Sequence, residues 1–265
     1  MPAKLKHMAI VTNDPERLNG FYHAVFGMQA DRGLVLSDGY VGVNFNRRAP
    51  GRQAGLDHFG FEVEDTEEIF ARVRDDYPEV EWLKRPANRP FAGISMHDPA
   101  GNVFDLSQAG MENRKGFYAE GSGADQQLPR HINHLMLRVV DPAKVAGFYQ
   151  NIFGMRQVET APDDGNFYLT DGTIRFIIAP WKIGNYAGSG IERPALDHIG
   201  FAVESMDAFQ ADLQRVSADK PQLAPAAERK SDEEAARTRL LATCPYGEFH
   251  MHDPDGVLID VGARA

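Results

Sequence analysis

The sequence states the same pattern twice, and a chain that repeats itself folds as repeated units. His7-Met-Ala-Ile-Val-Thr-Asn-Asp14-Pro15 is matched by His134-Leu-Met-Leu-Arg-Val-Val-Asp141-Pro142. Gly20-Phe21-Tyr22 is matched by Gly147-Phe148-Tyr149, and Phe26-Gly27-Met28 by Phe153-Gly154-Met155, all at an offset of 127. Further along, Leu56-Asp57-His58-Phe59-Gly60-Phe61 is matched by Leu196-Asp197-His198-Ile199-Gly200-Phe201. Met96-His97-Asp98-Pro99-Ala100-Gly101 is matched by Met251-His252-Asp253-Pro254-Asp255-Gly256. The chain therefore reads as two domains, 1–110 and 131–265, with the polar, Gly-rich stretch 111–130 as linker.

A shorter repeat lies inside each half. His7 and Asp14, His58 and Asp65, and His134 and Asp141 share a seven-residue spacing, and only His198 departs, with Ser205 in that place. Four copies of one small unit follow. Each opens on alternating apolar residues, which reads as a strand. An amphipathic helix comes next. In the first unit Asp14 and Pro15 suit its N-cap and first turn, and Gly27 suits its end. Two or three strands complete a unit, at 34–37 and 40–46 in the first and 91–97 and 102–107 in the second. Asp98-Pro99-Ala100-Gly101 and Asp253-Pro254-Asp255-Gly256 read as tight turns. The class is α+β, with curved, mixed sheets around metal-site cavities. Residues 217–239 have no match in the first half and read as a partly helical insertion, a solvated surface loop in preference to a lid or subunit contact.

Composition narrows the partners. A formal net charge of −10 argues against nucleic acid, whose binding rests on neutralising phosphates with Lys and Arg. Arg47, Arg48 and Arg52 read as a solvated loop. No apolar run has the length of a membrane span. One cysteine, Cys244, excludes an intrachain disulfide and fits a reducing compartment. The expectation is a cytoplasmic protein with a small-molecule substrate.

Side-chain direction picks out the site. In the strand at His58, Phe59, Phe61 and Val63 share the face that packs on helices, and His58 and Gly60 share the other. Phe104 and Leu106 likewise leave Asp105 with the histidines. In the second half, Ile199, Phe201 and Val203 oppose His198, and Ile259 and Val261 oppose Asp260. An aspartate between large apolar residues in a strand is costly unless paired or metal-bound. A lone histidine at a strand start is more often a hydrogen-bonded core residue than a ligand. A His, His, Asp set recurring in both halves points to a metal. Two histidines and a carboxylate on one face form the set typical of non-haem Fe(II), and Mn, Co, Ni or Zn also suit it. In the strand before the second turn, Tyr246, His250 and His252 share the face of the metal. His250 has no counterpart in the first half, where Ser95 stands, so it is the acid–base candidate, and the second domain is favoured as the catalytic one. His97 and His252 recur before both turns and read as turn braces. Tyr22 and Tyr149, on the first helices, read as core.

This pattern resembles the vicinal oxygen chelate superfamily, which includes glyoxalase I, extradiol ring-cleavage dioxygenases, methylmalonyl-CoA epimerase and the fosfomycin and bleomycin resistance proteins. The resemblance covers nearly the whole chain. It implies paired βαβββ units around a divalent metal, with ligands at His7, His58 and Asp105, and at His134, His198 and Asp260. The two-domain, four-unit layout is similar to the extradiol dioxygenases, and the family's habit of pairing implies a homo-oligomer. Family members mostly carry Glu where this chain has Asp105 and Asp260, so either the ion sits closer to the strand or binding is altered. The stretches 41–45 and 174–178 offer no fourth, glyoxalase-type carboxylate. His250 stands where extradiol enzymes have a tyrosine, and Leu241-Ala242-Thr243 supplies no earlier histidine. The expected function is an Fe(II) dioxygenase acting on a small aromatic or enediol-like molecule. The alternatives are a glyoxalase-type lyase or isomerase, and a metal-free protein that binds a drug or metabolite.

Overall fold

Each half builds its own mixed sheet, but the helices packed between the sheets serve both. The computed structural model describes residues 3–30, 35–87, 91–110, 128–158, 164–227 and 231–263. The expected linker lies outside the described residues over 111–127. In chain order the first half runs β1 (Lys4–Thr12), α1 (Pro15–Phe26), β2 (Gln29–Ala30), β3 (Val35–Ser37), β4 (Gly42–Arg47), β5 (Gly55–Val63), α2 (Thr66–Asp76), β6 (Trp82–Lys84), β7 (Ile94–His97) and β8 (Val103–Gln108). The second half runs β9 (His131–Val139), α3 (Pro142–Phe153), β10 (Arg156–Gln157), β11 (Phe167–Thr170), β12 (Arg175–Pro180), α4 (Ile183–Ser189), β13 (Ala195–Val203) and α5 (Met206–Asp219). A 3-10 turn (Pro221–Leu223), α6 (Asp232–Leu241), β14 (Phe249–His252) and β15 (Leu258–Ala263) complete it.

The strand orders are β2-β3-β4-β1-β5-β8-β7-β6 and β10-β11-β12-β9-β13-β15-β14. Within a unit the first and last strands pair parallel, as β1 with β4 and β5 with β8. The two units of a half join antiparallel through their first strands, β1 with β5 and β9 with β13. Three units are βαβββ. The fourth lacks the strand corresponding to β6 among the described residues, and the 3-10 turn and α6 occupy that stretch of chain.

The seven-residue His–Asp spacing is the distance from an inward-facing strand residue to a helix cap. Asp14 accepts from Arg17 N at 3.0 Å, Asp65 from Glu67 N at 2.8 Å and Asp141 from Lys144 N at 3.1 Å. Ser205 fills the same role in the fourth unit, accepting from Ala208 N at 3.3 Å. Gly27 (φ 70°) and Gly154 (φ 64°) end α1 and α3 in the left-handed conformation that glycine adopts without steric cost.

The core is continuous across both halves. Phe26 of α1 stacks on Phe201 of β13 at 3.8 Å between centroids and lies 5.6 Å from Phe209 of α5. Reciprocally, Phe153 of α3 stacks on Phe61 of β5 at 4.8 Å. Each half's first helix thus covers the apolar face of the other half's second-unit strands. Burying one such phenylalanine contributes about 1.5–3 kcal/mol. Polar contacts repeat the exchange. Ile132 N donates to Asp38 Oδ2 at 2.7 Å, and Leu5 N to Asp171 Oδ2 at 2.8 Å. Among the described residues no helix is long and apolar enough to cross a membrane.

Candidate metal centres

The face opposite the helices carries the polar residues. β1 and β8 both place a residue beside Gly60 of β5, namely His7 and Asp105. In the second half His134 and Asp260 flank Gly200 in the same way. The missing side chain makes room for the ligands. A Cβ on Gly60 would lie 3.1 Å from His7 Cβ, and one on Gly200 would fall 1.8 Å from the His134 ring. Glycine two places after His58 and after His198 thus makes room for the neighbouring histidine.

His7 Nε2 lies 3.3 Å from His58 Nε2, and His58 Nε2 lies 3.1 Å from Asp105 Oδ2. His134 Nε2 lies 3.2 Å from His198 Nε2 and 3.3 Å from Asp260 Oδ2. The structure thus brings together each three-residue set read from the sequence. The second gains a member: Cys244 Sγ is 3.4 Å from His134 Nε2, and the four donor atoms lie within 4.8 Å of one another.

Partners behind the rings fix which nitrogen faces inward. Nδ1 of His58 meets Asp57 at 2.7 Å, that of His198 meets Asp197 at 2.7 Å, and that of His134 meets the Asn133 amide oxygen at 2.8 Å. A carboxylate or amide oxygen accepts the Nδ1 proton, which in a neutral ring leaves Nε2 as a lone pair. In the second set two lone pairs then face each other at 3.2 Å beside a carboxylate, and a cation between them removes the repulsion. Asp260 gives a second sign. It is fully buried, and neither carboxylate oxygen receives a hydrogen bond of good geometry among the described residues, although His250 Nδ1 comes within 2.9 Å. Both sets fit a divalent cation.

Electrostatics agree. Burial opposes charge on His58, but Asp105 and Asp57 outweigh it and raise its pKa to about 9, so positive charge is wanted there. Burial lowers His134 to about 4, which keeps it neutral and able to ligate. Burial works against ionised Asp197, yet Arg237, His198 and Arg138 hold its carboxyl well below the usual range. Arg237 and Arg138 donate to it at 2.7 and 2.8 Å.

The two sets differ in access. His134, His198 and Asp260 expose none of their side chains, whereas His58 is 19% exposed. A cavity of about 760 Å³ opens on the first set. It is lined by His58, Asp105, Arg52, Arg85 and Ser95, and by Arg193 from the other half. Phe91, in the left-handed region at φ 56°, stacks on His7 at 4.9 Å and walls the back of the set.

The residues favoured for chemistry are distributed unevenly. His250 sits beside Asp260 on the neighbouring strand, as Ser95 sits beside Asp105. Tyr246 lies 5.5 Å from the His134 ring, with Arg175 over its own ring. His252 pairs instead with Glu234 of α6 at 3.2 Å, so it braces that helix and not its turn. His97 does brace its turn, through Asp98 O at 2.8 Å. The helix expected in 217–239 is α6, but the insertion is more than solvated surface: α6 projects Arg237 onto Asp197 and leads into buried Cys244. Sequence reasoning missed Cys244 as a donor, and its one signal was being the lone cysteine between that insertion and β14.

A family model described as the Glyoxalase/Bleomycin resistance protein/Dioxygenase superfamily matches residues 4–106 and 131–261, and the chain belongs to that superfamily. Among solved structures, the fold is similar to the Mn(II)-bound glyoxalase from Novosphingobium aromaticivorans, with a TM-score of 0.63 and 13% identity over 99% of this chain and 82% of that one. It is also similar to 2,2',3-trihydroxybiphenyl 1,2-dioxygenase from Sphingomonas wittichii strain RW1, with a TM-score of 0.65 and 15% identity over 100% and 91%. The 2,3-dioxygenase LapB from Pseudomonas sp. KL28 gives 0.61 and 15% over 100% and 93%. No protein of curated function matches the sequence.

Proposed function

We propose that the chain is a metal-dependent dioxygenase of extradiol type whose chemistry runs in the first half, on a small anionic aromatic or enediol-like substrate. The observation that carries this reading is that two members of a two-histidine, one-carboxylate set, His58 and Asp105, line the 760 Å³ cavity, with buried His7 completing the set behind them. Three protein donors leave coordination positions open, the arrangement suited to Fe(II) that must take substrate and oxygen together. Bound there, the ion supplies Lewis acidity and one-electron chemistry.

The chain's own residues do the rest. Arg52, Arg85 and Arg193 line the cavity and suit a carboxylate or phenolate on the substrate. Asp57 holds the Nδ1 proton of His58 and so fixes the ring toward the cavity. Ser95 donates to Asp105 Oδ1 at 2.5 Å and orients that carboxylate. The apolar wall, Leu56, Leu137 and Leu196, displaces water. The sequence favoured the second half on the strength of His250; the sealed state of that set moves our proposal to the first.

A glyoxalase-type isomerase needs a base for a carbon-bound proton. The carboxylates that line this cavity are Asp57 and Asp105, the first engaged by His58 and Arg52, the second a metal ligand. That favours the oxygenase.

The test is metal analysis of anaerobically purified protein, then oxygen uptake with a panel of catechols that do and do not carry a carboxylate. Iron and uptake with carboxylated catechols, both lost in H58A, are expected. Zinc or nickel with turnover of a hemithioacetal and no oxygen use would overturn the reading.

A further inference from the structure

We propose that His134, His198, Asp260 and Cys244 form a second, closed metal site with four protein ligands, a structural centre that clamps the 217–239 insertion to the sheet. This assignment is independent of the reaction in the first half.

The distances fit such a cage. Donors around a tetrahedral ion with bonds of about 2.0–2.3 Å stand about 3.3–3.7 Å apart. Three of the six donor pairs stand 3.2, 3.3 and 3.4 Å apart, and all four donors lie within 4.8 Å of one another. Packing leaves no place for substrate: the His and Asp side chains are fully buried and Cys244 is 4% exposed. Gly247 presses against the carboxylate so closely that a Cβ there would stand 1.5 Å from Asp260 Oδ1. A buried carboxylate with no good hydrogen bond, aimed at two imidazole lone pairs and a thiol, is stabilised by a cation.

Cys244 gives the site its character. Structural sites of this type use closed shells of cysteine and histidine, whereas catalytic ones keep a position open. A thiolate shifts preference toward borderline-soft ions, Zn(II) first. Binding therefore exchanges the thiol proton for the ion and releases that proton to solvent. The first half has no cysteine and no insertion, and there the matching face opens to the cavity. The clamp has a mechanical partner, since α6 also sends Arg237 to Asp197, which holds His198.

The experiment is anaerobic loading of the H7A/H58A variant with Co(II), read by absorption and by hydrogen exchange. This variant removes two of the first set's three ligands and leaves the cysteine untouched. One tightly held Co(II) per chain is expected, with intense visible bands of tetrahedral coordination and a near-ultraviolet thiolate charge-transfer band. Amides over 232–241 should exchange faster after the ion is stripped. C244S on the same background should lose the charge-transfer band. If C244S does not fold, the spectrum of H7A/H58A decides alone. Folded H7A/H58A that takes up no Co(II), or gives weak six-coordinate bands without charge transfer, overturns the proposal.

Discussion

Tyr22 donates its hydroxyl proton to Asp253 at 3.1 Å, joining a helix of the first half to a turn of the second, and Tyr149 repeats the bond to Asp98 at 3.1 Å in the opposite direction. Both tyrosines are fully buried. Replacing either by Phe removes the donor and leaves a buried carboxyl short of a partner, at a cost of about 1–3 kcal/mol. Because the core is shared, the loss should lower the stability of the whole chain. Denaturation of Y22F and Y149F followed by fluorescence and by circular dichroism should give one coincident transition at reduced denaturant concentration. Two separate transitions would contradict the exchanged core.

Asp253 should make stability depend on pH. Burial raises its carboxyl from 3.8 to about 6, against the backbone N–H groups of Val257 and Asp255 that favour the anion. The folded state therefore holds a proton that the unfolded chain has already lost. Its contribution is fully present below about pH 4 and disappears as pH rises through about 6, a change of about 3 kcal/mol at most. D253N keeps the oxygen acceptor but cannot ionise. Its unfolding free energy should vary less between pH 4 and 6 than that of the parent.

Metal uptake by the first set should release a proton. With His58 raised to about 9 by Asp105 and Asp57 against burial, the free protein carries that proton at neutral pH. Apparent affinity should rise roughly tenfold per pH unit until about pH 9. Calorimetry in buffers of different ionisation enthalpy measures the proton directly. D57A, which removes the partner of Nδ1, should weaken binding about 10–100-fold.

Two glycine substitutions make a paired test of packing. Gly200→Ala places a methyl on the His134 ring and should cost about 4 kcal/mol or more, since neither strand nor ligand has room to move. Gly147→Ala, in α3, meets nothing within 4 Å and should stabilise by about 0.5–1 kcal/mol through helix propensity. Melting temperatures should move in opposite directions.

Strand alternation and the repeat made much of this legible. The faces that carry His7, His58 and Asp105, and their counterparts, follow from period two, and the cap residues follow from Asp-Pro. β2 and β6 were illegible because two or three residues show no period. Alternation says that Phe201 is buried, but not that its cover is Phe26 from the other half, since any apolar helix face satisfies it. Cys244 escaped because it sits outside every repeat, on a loop positioned by α6. Access also escaped, because Cys244, Tyr246 and Gly247 close on the second set through tertiary contacts that no local pattern encodes.

The crossing of α1 and α3 between the halves has a historical reading. Two half-length chains packed about a two-fold axis would make the same contacts, each lending its first helix to its twin. Joining them end to end turns a concentration-dependent assembly into a tethered one. It also lifts the demand that both copies stay identical. One copy is then free to remain accessible while its twin accumulates a cysteine and a covering helix.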